Sequence, residues 1–320
     1  MKFITLGSGA TGSSAIEDYL FGRGDIFRSR IKKEFRLIQD PGGISDLHAA
    51  ISSGFHMNRA SAAIEAFIDL CDRYGNSKSG HPKGLNYRSY VKDYDKKVSY
   101  YVDRITAVAY NGFPFCERSK MSKWESYFYE KKRKKAKKKG SKPKLGTVRL
   151  PVIEDIFLRE TECFLASLFE HDHQEKSPIV IEQGGSFWAP LNSTVYFGDQ
   201  RKVIVVTRDP RDIFSEILDD GYAYPGHNVE VFCAWFDYMM KHVNYSEWNN
   251  DIIIHLKFED FVLGYKNEKK ILDRRLGVSE DIPSTYDPDK SAKNIGKYKM
   301  ILSDKEAKTI EDRLNKYLHY

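Results

Sequence analysis

Met1-Lys2-Phe3-Ile4-Thr5-Leu6-Gly7-Ser8-Gly9-Ala10-Thr11-Gly12-Ser13-Ser14 opens the chain and decides its fold. Residues 1–6 read as a buried strand. Residues 7–14 are a turn of small residues, and Ala15-Ile16-Glu17-Asp18-Tyr19-Leu20 begins a helix. A strand, a glycine-rich loop and a helix N-terminus form a cradle for an anion. Backbone N–H groups converge there, and the helix dipole adds about half a positive charge. The spacing Gly7-x4-Gly12 fits the phosphate-loop frame G-x-x-x-x-G-K-[ST], but Ser13 stands at the lysine position. Such a loop holds phosphate without the arm that reaches the outer phosphates of ATP. It suits a nucleotide whose reactive group is not a γ-phosphate. The plain alternative is an ordinary turn in an α/β domain.

Working outward, the same alternation of strand and helix returns. Glu34-Phe35-Arg36-Leu37-Ile38 is a short strand candidate, closed by the turn residues Asp40-Pro41-Gly42-Gly43. Residues 44–74 read as helices, 75–84 as a polar loop, and 86–129 as helical and tyrosine-rich, broken near Gly112-Phe113-Pro114. Residues 152–169 are an amphipathic helix and 178–182 a strand. Lys202-Val203-Ile204-Val205-Val206-Thr207 is a continuous β-branched run suited to a sheet covered on both faces. Pro210 opens a helix over 211–219. Another helix is expected over 228–247, a strand over 252–256, and a last helix over 303–318 with a Ser303/Glu306 capping box. Strands separated by helices predict a mainly parallel sheet with helices on both faces, its ligand at the carboxyl ends of the strands.

A chain of 320 residues with 41% hydrophobic content can form one large α/β domain or two smaller ones. No apolar run nears the ~20 residues of a membrane span. The chain enters a strand at once, with no charged n-region and no small-residue cleavage site, so no signal peptide is expected. Cys71, Cys116, Cys163 and Cys233 are widely spaced, which favours reduced thiols in a cytoplasmic protein over a disulfide frame or zinc site. The net charge of +6 is local. Residues 131–144, KKRKKAKKKGSKPK, hold ten Lys or Arg and no acid, and the remainder of the chain is net negative. A solvated helix end running into a loop is the plain reading. An anionic partner, whether an acidic glycan, a membrane surface or nucleic acid, is the functional one. No nucleic-acid reader motif accompanies the run, so nucleic acid is not expected.

The strand 202–207 runs into Arg208-Asp209-Pro210-Arg211-Asp212-Ile213-Phe214-Ser215. An arginine at a buried strand end, followed by proline at a helix start, puts a guanidinium fork at the same sheet edge as the first loop. A structural Arg–Asp pair is the alternative. Together with the first loop, this segment resembles the sulfotransferases that use 3′-phosphoadenosine-5′-phosphosulfate (PAPS). Their first signature is a strand followed by P-[KR]-[ST]-G-[ST]-[ST], and Gly9-Ala10-Thr11-Gly12-Ser13-Ser14 matches its last four positions. Their second, R-[ND]-P-[KR]-D-[VI] followed by a serine, is matched at every position by residues 208–213. Ser215 lies near the serine place, where this chain has Glu216. Leu256-Lys257-Phe258-Glu259-Asp260-Phe261-Val262, Leu276-Gly277 and 292–299 resemble later segments of that family, the last being a loop that closes over the 3′-phosphate.

The resemblance covers 1–40 and about 175–318, and leaves 75–150 unexplained. It implies a three-layer, doubly wound, P-loop NTPase-like α/β domain over 1–320, with a helical, partly basic insertion at 85–145. It implies PAPS as donor, held by Gly9, Ala10, Thr11, Gly12, Ser13, Ser14, Arg208, Ser215, Lys293 and Asn294, with no metal. A carbohydrate or glycolipid acceptor is expected by the same analogy, with peripheral membrane contact through 131–144 a further expectation. Two positions depart from the family. Ala10 stands where a Lys or Arg supports the departing sulfuryl group, and Arg23, Arg28, Arg59 and Lys293 are candidate substitutes. The catalytic base is expected to be Glu34, with Glu182, His48 and His56 as rivals. A small-molecule kinase is the alternative enzyme, and the missing loop lysine weighs against it. A non-catalytic nucleotide- or glycan-binding descendant is the alternative outside catalysis.

Overall fold

The computed structural model describes residues 1–76, 85–112, 121–138, 146–169, 177–220 and 225–320. Among them seven strands form: β1 (Lys2–Gly7), β2 (Phe27–Arg28), β3 (Thr106–Gly112), β4 (Gly146–Pro151), β5 (Ile179–Glu182), β6 (Arg201–Thr207) and β7 (Ile253–Lys257). The chain divides into two compact units, Met1–Arg36 with Phe169–Tyr320, and Leu37–Leu168. The second encloses the basic segment and the unmatched stretch.

In the first unit, five strands make a sheet in the order β2-β5-β1-β6-β7, parallel at every pairing. β6 is buried on both faces, with Val203, Ile204, Val205 and Val206 all at 0% exposure. That is what a run of β-branched residues without alternation requires. On one face Phe3, Val180, Ile204, Val206 and Ile254 join Ile16, Tyr19 and Leu20 of helix α1 (Ser13–Gly22) and Phe261 and Leu272 from later helices. Each such side chain contributes about 1.5–3 kcal/mol by leaving water. After β1 the chain runs to the β2 edge, returns to β5, then crosses to β6 on the other side of β1. The direction of winding reverses at β1, so the loop after β1 opens at the switch point, where ligands of such sheets bind. The capping box of the last helix (Asp304–Leu314) forms as its sequence predicts. Ser303 N–H donates to Glu306 Oε2 at 2.9 Å and Glu306 N–H to Ser303 Oγ at 3.3 Å.

The second unit is built from helices and one antiparallel pair of strands, β3 with β4. Its core contains Ile64, Phe67, Tyr94, Tyr101, Phe157 and Phe164. Tyr101 stacks on Phe164 at 4.4 Å and shares a 2.7 Å hydrogen bond with Thr161.

Two expectations are corrected. Residues 34–38 are not a strand. The carbonyls of Leu37 and Ile38 accept from Ile44 and Ser45 N–H at 2.8 and 3.0 Å. They satisfy the N-terminus of helix Ile44–Ser52 rather than a sheet ladder. Residues 106–112 are not helical, because they pair antiparallel with 146–151. Residues 77–84 of the polar loop expected over 75–84, residues 113–114 of the expected break and residues 139–144 of the basic run lie outside the described residues. No helix among the described residues is long and apolar enough to cross a membrane. Cys71, Cys163 and Cys233 are free thiols.

Candidate functional site

The loop after β1 is shaped by backbone that few side chains tolerate. Gly9, Ala10 and Gly12 have φ of 95°, 54° and 81°. A Cβ at Gly12 would lie 2.4 Å from the Phe258 ring, so only glycine fits there. Gly12 is also the N-cap of α1. It offers no side chain to the first-turn N–H groups, and that turn holds no acid. Ala15 N–H closes back on Gly12 O at 3.0 Å, and the Ser13 and Ser14 N–H groups ahead of it are the donors open to an anion. Thr11 Oγ1 is buried without a hydrogen-bond partner, a polar group a ligand would satisfy. Gln183 fastens the loop from the end of β5. Gly7 N–H donates to its Oε1 and its Nε2 donates to Ser13 Oγ, both at 3.3 Å. Ser14 is exposed at the start of α1.

Arg208 follows β6 and is 5% exposed. Its Nη1 donates to Ala10 O at 2.8 Å and its Nη2 to Asn294 O at 2.7 Å, while Nε is buried without a partner. The guanidinium lies over the Phe258 ring at 5.1 Å. Three segments that the sequence singled out separately, 9–14, 208–213 and 292–299, thus meet at one guanidinium. The cation nearest Ala10 is Arg208 itself. Lys293 is exposed on the neighbouring loop.

Ser215 is completely buried, and its hydroxyl donates to Asp212 O at 2.9 Å. The side chain that reaches Arg208 is the next one. Glu216 Oε2 lies 3.6 Å from Arg208 Nη1 and 3.7 Å from Lys297 Nζ. A carboxylate there partly neutralises the guanidinium and opposes an incoming anion. The rest of the arginine motif is structural. Arg211 forks onto both oxygens of Asp209 at 2.9 Å, with the Tyr298 and Tyr320 rings at 4.6 and 4.9 Å. Asp212 accepts from Gly296 N–H, Tyr298 N–H and the Tyr320 hydroxyl, which holds the 292–299 loop in place.

A cavity of about 440 Å³ opens at the carboxyl ends of β1, β6 and β7. Ser8, Thr11, Thr207, Arg208, His255 and Lys257 line it, with Phe187, Tyr245 and Trp248, and with Lys241, Lys316 and His319. Among the described residues lining it there is no Asp or Glu. Lys241 and Lys316 both pair with Asp237 behind the lining, at 2.5 and 3.0 Å, while Arg208, Lys257 and the aromatic faces suit an anionic ligand that carries a ring. Burial, helped by His319, Lys257 and Arg275, pushes His255 down to about 4, so it is neutral at pH 7. Its Nε2 shares a 2.9 Å hydrogen bond with Thr207 Oγ1. His319, which sequence reasoning missed, is held by Glu259 Oε2 at 2.5 Å from Nδ1 and by Asp209 Oδ2 at 3.0 Å from its backbone N–H. A carboxylate on one ring nitrogen fixes the tautomer and orientation of the other. No local motif could have announced this pair, because its members are 60 residues apart.

A second cluster lies at the ends of β5 and β2. Phe35 N–H donates to Glu182 O at 2.8 Å, which brings residues 34 and 182 side by side. Arg28 Nη2 lies 3.4 Å from Glu182 Oε2, and Glu34 Oε2 lies 3.5 Å from Arg36 Nη1. Burial raises the Glu182 carboxyl above its ordinary range. Arg28 opposes the rise and the Glu34 charge adds to it. Glu17 of α1 is 4% exposed and accepts from Thr5 Oγ1 at 2.5 Å. Burial, and then Glu182, push it up to about 8. Of the other candidates, Arg23 is locked in a buried network with Asp25, Asp273, Tyr19 and the Ser279 carbonyl. His48, His56 and Arg59 belong to the second unit. There His48 pairs with Glu154 at 2.8 Å and stacks on Phe157, Arg59 donates to the Ser53 and Gly54 carbonyls, and His56 is exposed.

The Glu17 shift carries a stability consequence. Its folded pKa lies above that of the unfolded chain, so its contribution is full below about pH 4.5 and is lost as pH rises through about 8. Glu17→Gln imitates the protonated form. It is expected to melt with the wild type at pH 5 and several degrees higher at pH 9, at about 1.5 °C per kcal/mol for a chain of 320 residues. Thermal melts of both proteins across that range check it, and a variant that melts lower at both pH values contradicts it.

Searched against protein-family models, the chain matches none, and no curated protein matches it. The fold and site define an α/β protein with a parallel five-stranded sheet and a glycine-rich loop at its switch point.

Proposed function

We propose that the chain is a sulfotransferase that moves a sulfuryl group from PAPS to a hydroxyl of a carbohydrate or glycolipid acceptor. One observation carries the reading. The glycine loop, the arginine after β6 and the 292–299 loop converge on Arg208 beside an acid-free, aromatic cavity. The first-turn N–H groups of α1 and Thr11 Oγ1 fit the 5′-phosphosulfate. The Arg208 fork, with its unpartnered Nε, fits the 3′-phosphate. Phe187, Tyr245 and Trp248 offer faces for the base. The acceptor hydroxyl attacks sulfur in line while 3′,5′-adenosine bisphosphate departs. The protein's part is positioning and charge stabilisation. Glu182 takes the acceptor proton, since a carboxyl raised by burial is a stronger base near neutral pH than an exposed one. Glu34 sits beside it and keeps that pKa up.

Calorimetry with 3′,5′-adenosine bisphosphate and with ATP–Mg tests the donor. Binding of the first and not the second is expected. Tighter binding of ATP–Mg would return the site to a kinase. Glu216 beside Arg208, together with Ala10, favours a second reading, a descendant that binds the nucleotide without transfer. A sulfuryl-transfer assay on a panel of glycans and glycolipids separates the two.

A further inference from the structure

Along the helix Lys123–Lys138, Ser126, Tyr129 and Glu130 form a partly buried face, and the other aromatic residues and the basic residues point away from it. Every other residue along it whose burial is described is exposed. Ser122 caps it in a reciprocal box with Glu125, at 2.8 and 3.3 Å, so its start is fixed locally. Trp124, Tyr127 and Phe128 then form a stripe at i, i+3 and i+4, exposed by 73%, 56% and 53%. Tyr127 and Phe128 meet edge to face at 5.6 Å, and Lys131 Nζ lies 5.9 Å from the Tyr127 ring. Directly after the aromatics come Lys131, Lys132, Arg133, Lys134 and Lys135, all exposed, and the sequence continues in Lys to residue 144.

A helix of this length is marginal in water, and like charges four apart, such as Lys131 and Lys135, weaken it further. Three large rings in water add an unrecovered hydrophobic cost. Both penalties disappear against a surface that is negative and has an apolar layer beneath.

We propose that this helix docks the protein onto the surface of an anionic lipid bilayer. Trp124, Tyr127 and Phe128 enter the headgroup boundary, and Lys131, Lys132, Arg133, Lys134 and Lys135 lie over the acidic headgroups. Trp and Tyr favour that boundary because one end of each ring is apolar and the other polar. Each Lys near such a surface is worth about 1 kcal/mol, and an amphipathic helix needs both its apolar face and its cations to stay bound. Charge complementarity selects a bilayer over nucleic acid. Nine of the ten cations in 131–144 are Lys, hydrated point charges that suit a diffuse negative sheet. Reading individual phosphates and bases favours the fork of Arg. The inference stands apart from the sulfotransferase reading, since none of these residues lines the cavity or the carboxylate cluster.

Co-sedimentation of the full chain with vesicles tests it, comparing phosphatidylcholine alone with phosphatidylcholine containing about 30% phosphatidylserine. Binding at least tenfold stronger to the anionic vesicles is expected, fading at about 1 M salt, where the Debye length is only ~3 Å. The triple variant W124A/Y127A/F128A should lose at least tenfold of that binding. Its melting temperature should be unchanged, because the three rings are exposed. Quenching of Trp124 by brominated lipid, read as the signal lost in W124F, should appear only with anionic vesicles. Equal binding to both vesicle types, an aromatic variant that binds like the wild type, or tighter binding to a duplex oligonucleotide than to vesicles at the same salt overturns the proposal.

Discussion

Turnover of sulfuryl transfer falls roughly 10²–10⁴-fold in Glu182→Gln, the range typical of losing a general base, while affinity for 3′,5′-adenosine bisphosphate stays within about twofold. Glutamine keeps the size of the side chain and its contacts with Arg28, but it cannot take the acceptor proton. The companion variant is Glu34→Gln. Its side chain is more exposed than that of Glu182, 43% against 26%, and its charge helps hold the Glu182 pKa up. Removing a negative neighbour makes protonation of Glu182 less favourable, so its pKa falls and the basic form persists to lower pH. Glu34→Gln is therefore expected to retain turnover within about tenfold and to move the acidic limb of the rate profile to lower pH. Steady-state kinetics across pH decides between the two. Collapse in Glu34→Gln with near-normal turnover in Glu182→Gln would make Glu34 the base.

Arg208→Ala weakens 3′,5′-adenosine bisphosphate by about 1.5–3 kcal/mol, or roughly 10–150-fold, the scale of charge-assisted hydrogen bonds to a phosphate. Adenosine 5′-phosphosulfate lacks the 3′-phosphate, and its affinity should change little. Calorimetry with both ligands separates the roles open to this residue. Arg208 also joins Ala10 O to Asn294 O. If both ligands lose equally, the guanidinium acts by holding the loop, and the phosphate assignment fails.

Much of the first unit was legible in the sequence because its signals are local. The β-branched run of β6, the strand-loop-helix start and the Ser303 capping box each announce themselves within a few residues, and each formed where expected. The Arg208 motif placed a cation at the strand end for the same reason. Pairings between distant residues were not legible. The strand at 106–112 exists because 146–151 pairs with it, and its own residues are mostly exposed, so no periodicity marked it. Residues 34–38 carry a strand-like pattern, but their carbonyls went to the helix that begins at Ile44, since an unsatisfied helix start is a stronger demand than a solitary edge strand.

Within the candidate site, the chain's own residues determined which groups are present: a glycine loop without its lysine, an arginine after a buried strand, and scattered carboxylates. Only the tertiary structure decided what each one meets. It set Glu216 rather than Ser215 against Arg208, and paired Glu259 with His319. It also buried Glu17 near Glu182, so that neither carboxyl keeps its ordinary acidity. Hydrogen bonds, desolvation and charge–charge terms act through space over a few ångströms, and spacing along the chain does not report those distances.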